Sequence, residues 1–162
     1  MNALDILKYG HKTFTDSLEG LEGQDWEEKG VTTSWNIKDT LSHITSYELL
    51  LKDVILSLID KSEPTAYLDM VISMSGTDFN NLQVEQRKRQ SHQEIMDEYQ
   101  KAHSEVLNLA SKIPAELFTK NGTLPWYGKE YSLDDYIVYS NYGHKREHAA
   151  QIKIFRKKLE TK

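Results

Sequence analysis

The chain has 162 residues, of which 38% are hydrophobic and 28% charged, with a formal net charge of −5 and no cysteine. The length reads as one ordinary domain, 1–162, with enough apolar material for a real core, and the missing cysteines exclude disulfides, iron–sulfur clusters, Cys-ligated zinc and a cysteine nucleophile. The mildly acidic balance argues against nucleic-acid binding, and the basic runs Arg87-Lys88-Arg89 and Lys153 to Lys158 read as solvated helix faces.

Residues Met1 to Lys8 hold Asp5 and no long apolar run, so they do not read as a signal peptide. Leu4, Leu7, His11, Phe14, Leu18 and Leu21 recur at spacings of three and four, which predicts a first helix from about Asn2 to Leu18. Gly20 and Gly23 end it. A second helix starts at Asn36, an N-cap residue with Asp39 three positions on, and ends near Lys61, before Pro64. Its stripe is Ile37, Leu41, Ile44, Leu51, Ile55 and Leu58, flanked by His43, Tyr47, Leu50 and Val54, a wide face suited to two neighbours. The apolar-rich stretch Leu49 to Ile59 is broken by Lys52, Asp53 and Ser57 and is too short and too charged to span a bilayer. The expectation is a cytoplasmic chain without a membrane partner.

Residues 62–80 form a long connection with room for a short helical segment, long enough to cross the bundle and set the second and third helices parallel. A third helix is predicted over Leu82 to Lys112, with Val84, Ile95, Tyr99, Val106, Leu109 and Ile113 inward. Residues 114–131 are a second long loop carrying Trp126, Tyr127 and Tyr131, side chains suited to lid a pocket or cover a bundle end. Ser132 and Asp135 form a capping-box pattern that opens a fourth helix, Leu133 to about Leu159. Four long helices with one or two long crossovers predict an all-α four-helix bundle.

The sharpest chemical signal is His144-Lys145-Arg146-Glu147-His148. Two His four residues apart on a helix are offset by about 40° and about 6 Å of rise, so both imidazoles can face one ion. An HxxxH pair alone arises by chance, but His43 on the second helix adds a third ligand. Three His with one open position is a catalytic zinc or nickel arrangement; a closed structural site would use four protein ligands. The string also matches the inverted zinc-protease motif, yet Glu160 is the only acid after His148, which disfavours a protease. His11 reads as a core or pocket-wall residue, and His92 and His103 as exposed. Trp35 reads as packing that positions the second helix. Tyr47, one turn past His43, and Glu147 are candidate catalytic groups. Asn141 and Gln151 are candidates for hydrogen bonds that orient ligand imidazoles or contact substrate.

Thr33-Ser34-Trp35-x-Ile37-x-Asp39-x-Leu41-x-His43-Ile44 resembles the segment opening the second helix in DinB/YfiT-like proteins. Tyr142-Gly143-His144-x-x-Glu147-His148-Ala149-x-Gln151-Ile152 resembles their closing HxxxH helix. That resemblance covers essentially the whole chain and implies a metal triad of His43, His144 and His148. The middle of the chain is similar to the ClbS/DfsB-like branch, from Phe79-Asn80 through Arg87, Arg89 and Ser91 to Glu98, with a matching Pro125-Trp126-Tyr127-Gly128 loop. The ending Glu147-His148-Ala149 departs from the His-Tyr-x-Trp-Ala close of that branch. The resemblance implies a divalent metal, Zn²⁺ or Ni²⁺, in a site at one end of the core, serving a hydrolase or a low-molecular-weight-thiol transferase of detoxification or stress type acting on a small electrophile. Two other readings stay open: a bundle that sequesters a small molecule without turnover, and a structural bundle. Homodimerisation through the wide face of the second helix is compatible with all three.

Overall fold

Each long helix begins where a side chain takes up its first free N–H groups. In the computed structural model, which describes residues 2–162, Asn2 Oδ1 accepts from the Asp5 N–H at 3.0 Å and opens α1 (Ala3–Leu18). Asn36 Oδ1 accepts from Asp39 at 2.7 Å and opens α2 (Ile37–Ile59). Two short helices follow, α3 (Ala66–Ser73) and α4 (Gly76–Gln86). Ser91 and Glu94 exchange reciprocal bonds at the start of α5 (His92–Ala110), and the short α6 (Ala115–Thr119) comes next. Ser132 and Asp135 do the same before the last long helix, which runs through α7 (Leu133–Tyr136), a π-helical stretch (Ile137–Gly143) and α8 (His144–Glu160). There is no strand among the described residues, and none of their helices is long and apolar enough to cross a membrane.

The expected third helix from Leu82 to Lys112 is two helices. Periodicity carries across the junction, but Arg87 leaves helical geometry and the Ser91 capping box restarts the chain as α5. Arg87 is also not part of a solvated face. It is 4% exposed, and its guanidinium donates to Glu98, to the Gln83 carbonyl and side chain, and to the Tyr67 hydroxyl. This knot ties α3 and α4 to α5. A second tie is buried Asp53 of α2, whose Oδ2 accepts the Tyr67 and Leu68 N–H groups at 2.8 and 3.2 Å at the start of α3.

The long helices enclose two apolar clusters stacked along the bundle axis. One holds Leu7, Leu51, Val54, Val106 and Ile137; the other holds Phe14, Leu41, Ile44, Tyr99 and Ile152. The order in which each helix visits them gives its direction. α2 and α5 pass from the second cluster to the first, while α1 and the last helix pass from the first to the second. The cross-contacts Glu48–His103 and Lys52–Glu105 agree that α2 and α5 are parallel neighbours. The long connection from Asp60 to Ser91, which holds α3 and α4, makes this possible. α1 and the last helix meet closely at Gly10, where a Cβ would lie 3.2 Å from the Tyr142 ring and 3.4 Å from the Lys145 side chain.

Candidate metal centre

α2 supplies His43 and α8 supplies His144 and His148. His43 and His148 are buried and His144 is half-buried. The His144 Nε2 lies 2.8 Å from His43 Nε2 and 3.0 Å from His148 Nε2. All three nitrogens fall within 4.8 Å of one another, so the triad could hold a metal ion. The site is at mid-height rather than at an end of the core, since its α8 ligands sit between Ile137 of one cluster and Ile152 of the other.

The chemistry of the donor set fits a cation. His148 Nδ1 lies 2.8 Å from Gln151 Oε1, an acceptor, so the ring proton is on Nδ1 and the Nε2 lone pair faces His144. A single proton on His144 Nε2 can satisfy only one of its two neighbours. Burial, followed by the charges of the neighbouring imidazoles, pushes His43 down to about 2 and His144 down to about 3, and burial lowers His148 as well. The three rings are therefore neutral near pH 7, the form that binds metal. Tetrahedral zinc with Zn–N bonds of about 2.0–2.1 Å would set nitrogens roughly 3.3 Å apart, close to the 2.8 and 3.0 Å that His144 Nε2 keeps from its two neighbours.

The π-helical stretch ends at the first α8 ligand. Its wider turn brings the Val138 carbonyl to 3.2 Å from where a Gly143 Cβ would sit. π-turns of this kind occur often at functional sites, because an extra residue re-aims the side chains that follow. Trp35 walls the triad, with ring centroids 4.7 Å from His43 and 6.4 Å from His148, so its packing role includes the site itself.

A cleft of about 310 Å³ opens beside His144, lined by Tyr47, Tyr139, Ser140, Gly143, His144 and Glu147. Both candidate catalytic residues border it. The Tyr47 hydroxyl donates to Asn80 Oδ1 at 3.1 Å, and burial raises its pKa, so it stays protonated at neutral pH. Glu147 is exposed at the rim. The Ser140 hydroxyl donates to the Tyr127 hydroxyl at 3.1 Å, which joins the 114–131 loop to the cleft edge. Trp126 and Tyr127 otherwise pack edge-on against Tyr136 and cover the bundle end.

Residues 7–152 match the DinB superfamily, and that span includes all three histidines. The chain belongs to the DinB superfamily. No curated protein and no solved structure matches it significantly.

Beside the DinB-type triad lies a second group of polar residues. Glu48 is 0% exposed and Lys145 1%, and the Lys145 ammonium meets Glu48 Oε2 at 2.5 Å. The Asn141 amide donates to the same oxygen at 3.2 Å and its carbonyl accepts from Lys145 at 3.2 Å. On its other side Glu48 Oε1 lies 2.8 Å from Nδ1 of His103, which stacks on His11 with centroids 3.9 Å apart. Burial pushes the Glu48 carboxyl up, but the charges of Lys145 and His103 outweigh it and hold it at about 2. Asn141 thus serves this group rather than a ligand imidazole. His103 is buried, against the expected exposure, because it completes the inward row Tyr99, His103, Val106. His92 is half-buried, stacked on Trp26 with centroids 4.5 Å apart.

Proposed function

We propose that this DinB-superfamily chain is a metal-dependent enzyme acting on a small electrophilic molecule, either by hydrolysis or by transfer of a low-molecular-weight thiol. The observation that carries the proposal is the convergence of three neutral Nε2 donors, one of which, His144, lines an open cleft. His43, His144 and His148 would hold Zn²⁺ or Ni²⁺. Three imidazoles leave a coordination position for water or a thiol, whose pKa such an ion lowers to make a nucleophile near neutral pH. The absence of cysteine from the sequence means the thiol must arrive as a co-substrate.

The chain's own groups then have separable tasks. Tyr47 stays protonated and can donate a hydrogen bond to developing negative charge on a substrate in the cleft. Glu147 is a carboxylate at the cleft rim that can accept a proton and pass it to solvent. Trp35 packs against His43 and His148 and can shield that flank of the triad from water.

The experiment is elemental mass spectrometry on protein purified without an affinity His-tag, for wild type and His144→Ala/His148→Ala. The expected result is about one equivalent of a transition metal in wild type and its loss from the double variant. A wild type that takes up no metal after incubation with Zn²⁺ or Ni²⁺ overturns the proposal. If metal is present, thiol transfer and hydrolysis assays follow, and recovery of every ligand unchanged would leave a sequestering protein.

A further inference from the structure

Each long helix contributes to one polar cross-section between the two apolar clusters. α1 gives His11, between Leu7 and Phe14. α2 gives Glu48, between Ile44 and Leu51. α5 gives His103, between Tyr99 and Val106. The last helix gives Asn141 and Lys145, between Ile137 and Ala149. This layer is separate from the triad: Glu48 is fully buried and Lys145 nearly so, and no substrate reaches either.

Apolar rows do not fix register well. If α8 slid one turn along α2, Ile or Leu side chains would meet other Ile or Leu side chains. The polar layer does not tolerate such a slip. One turn is about 5.4 Å, which would part Lys145 from Glu48 and strand both charges in the core. A buried ion pair often adds little stability over an apolar replacement, and its best-attested use is to specify register. Here the register has a direct consequence, because α2 and α8 also carry the triad. Glu48 is five residues beyond His43, and Lys145 immediately follows His144.

We propose that the buried Glu48–Lys145 pair, braced by Asn141 and His103, is the positioning device that locks α2 against α8 so that His43 meets His144 and His148. The inference rests on the metal-centre reading for its consequence, but the alignment itself can be measured without metal. Glu48 and Lys145 are positioning residues, not catalytic ones.

The test uses Glu48→Met/Lys145→Met, which removes the two facing charges together and costs Asn141 and His103 their bonds to them. It is accompanied by the single variant Lys145→Met. The double variant is expected to fold with wild-type helicity and a somewhat lower thermal midpoint, because buried Asn141 and His103 lose their partners, and to bind Zn²⁺ 10- to 100-fold more weakly, a range typical of lost outer-shell support. Its Co²⁺ absorption spectrum should lose the sharp bands of a single tetrahedral site. The metal-free arm introduces His43→Cys/His144→Cys, two unique thiols in a chain with none of its own, and follows their bridging by a short bifunctional thiol reagent. Bridging should be fast with Glu48 and Lys145 in place and at least tenfold slower in the Met/Met background. A folded Met/Met protein with wild-type Zn²⁺ affinity or equal bridging overturns the inference. If wild type binds no metal but bridging still slows, the metal reading fails and the register lock stands.

Discussion

At the scale of single residues, the triad depends on which nitrogen of each imidazole carries the proton. Gln151 decides this for His148 by accepting from Nδ1 at 2.8 Å. Gln151→Leu keeps a side chain of similar length but removes the acceptor, which frees the ring to flip and to present N–H to the site. The expected outcome is a 10- to 100-fold loss of Zn²⁺ affinity with unchanged helicity, read by competition against a chelating dye. Unchanged affinity would mean the ring is fixed by packing alone. The triad itself was legible in the sequence, because two His four apart on an apolar face and a third on another amphipathic helix need only helical geometry to be found. The polar layer is far less legible, although the sequence carries a trace of it. The inward row of α2 skips from Ile44 to Leu51 and that of α5 from Tyr99 to Val106, and Glu48 and His103 fill those gaps at helical spacing. Charged residues at such positions look like solvated neighbours of the stripe until partners from distant segments are in place. Lys145, nearly a hundred residues from Glu48, is such a partner, and Arg87 looks solvated in sequence for the same reason. Removing Lys145 alone would leave Glu48 as an unpaired buried charge, a loss on the order of 3–5 kcal/mol.

At the scale of elements, the helices that carry ligands differ from those that support them. α5 contributes no metal ligand, yet it packs along α2 in parallel and meets Glu48 through His103. Its start is fixed by the reciprocal bonds of Ser91 and Glu94, at 3.1 and 2.7 Å. Ser91→Ala should therefore lower stability by about 1 kcal/mol, visible as a reduced urea midpoint, and leave metal stoichiometry unchanged. A loss of metal without a loss of stability would show that α5 aligns the site more directly than this arrangement allows. The same capping box explains the error in the expected third helix. Hydrophobic spacing continues from Val84 to Ile95, and only the Ser-x-x-Glu pattern marks the restart. The caps at Asn36 and Ser132 were legible because each stands at the edge of its apolar stripe. The π-helical stretch was not, since no residue pattern announces an i→i+5 turn; Gly143 at its end, beside the Val138 carbonyl, is its one local trace.

At the scale of the whole molecule, a bundle with titratable groups through its middle must lose stability in acid; in metal-free protein the three triad imidazoles give a common slope below pH 6.5, to which two further groups add in separate windows. His11 faces His103 and Tyr99 of α5, Lys145 of α8 and Glu48 of α2. Burial, then the charges of His103 and Lys145, lowers its pKa to about 4, from an ordinary value of 6.5. Between those values the unfolded chain binds a proton that the folded chain does not, so stability falls as pH drops from 6.5 toward 4. Glu48 is held at about 2 against an ordinary 4.5, so its contribution is complete above pH 4.5 and is lost as pH falls from there toward 2. Both slopes have the same sign but occupy different ranges. His11→Phe retains a ring to stack on His103 and removes only the His11 share of the upper slope. In metal-free protein, the urea midpoint of His11→Phe should fall less steeply than wild type between pH 6.5 and 4, while the two curves run parallel between pH 4 and 2. Identical slopes in the upper window would place His11 outside the layer's electrostatics. Divergence in the lower window would mean that the Glu48 pairing with His103 depends on the stacked ring behind it, because the substitution would then have disturbed the carboxylate as well as the imidazole.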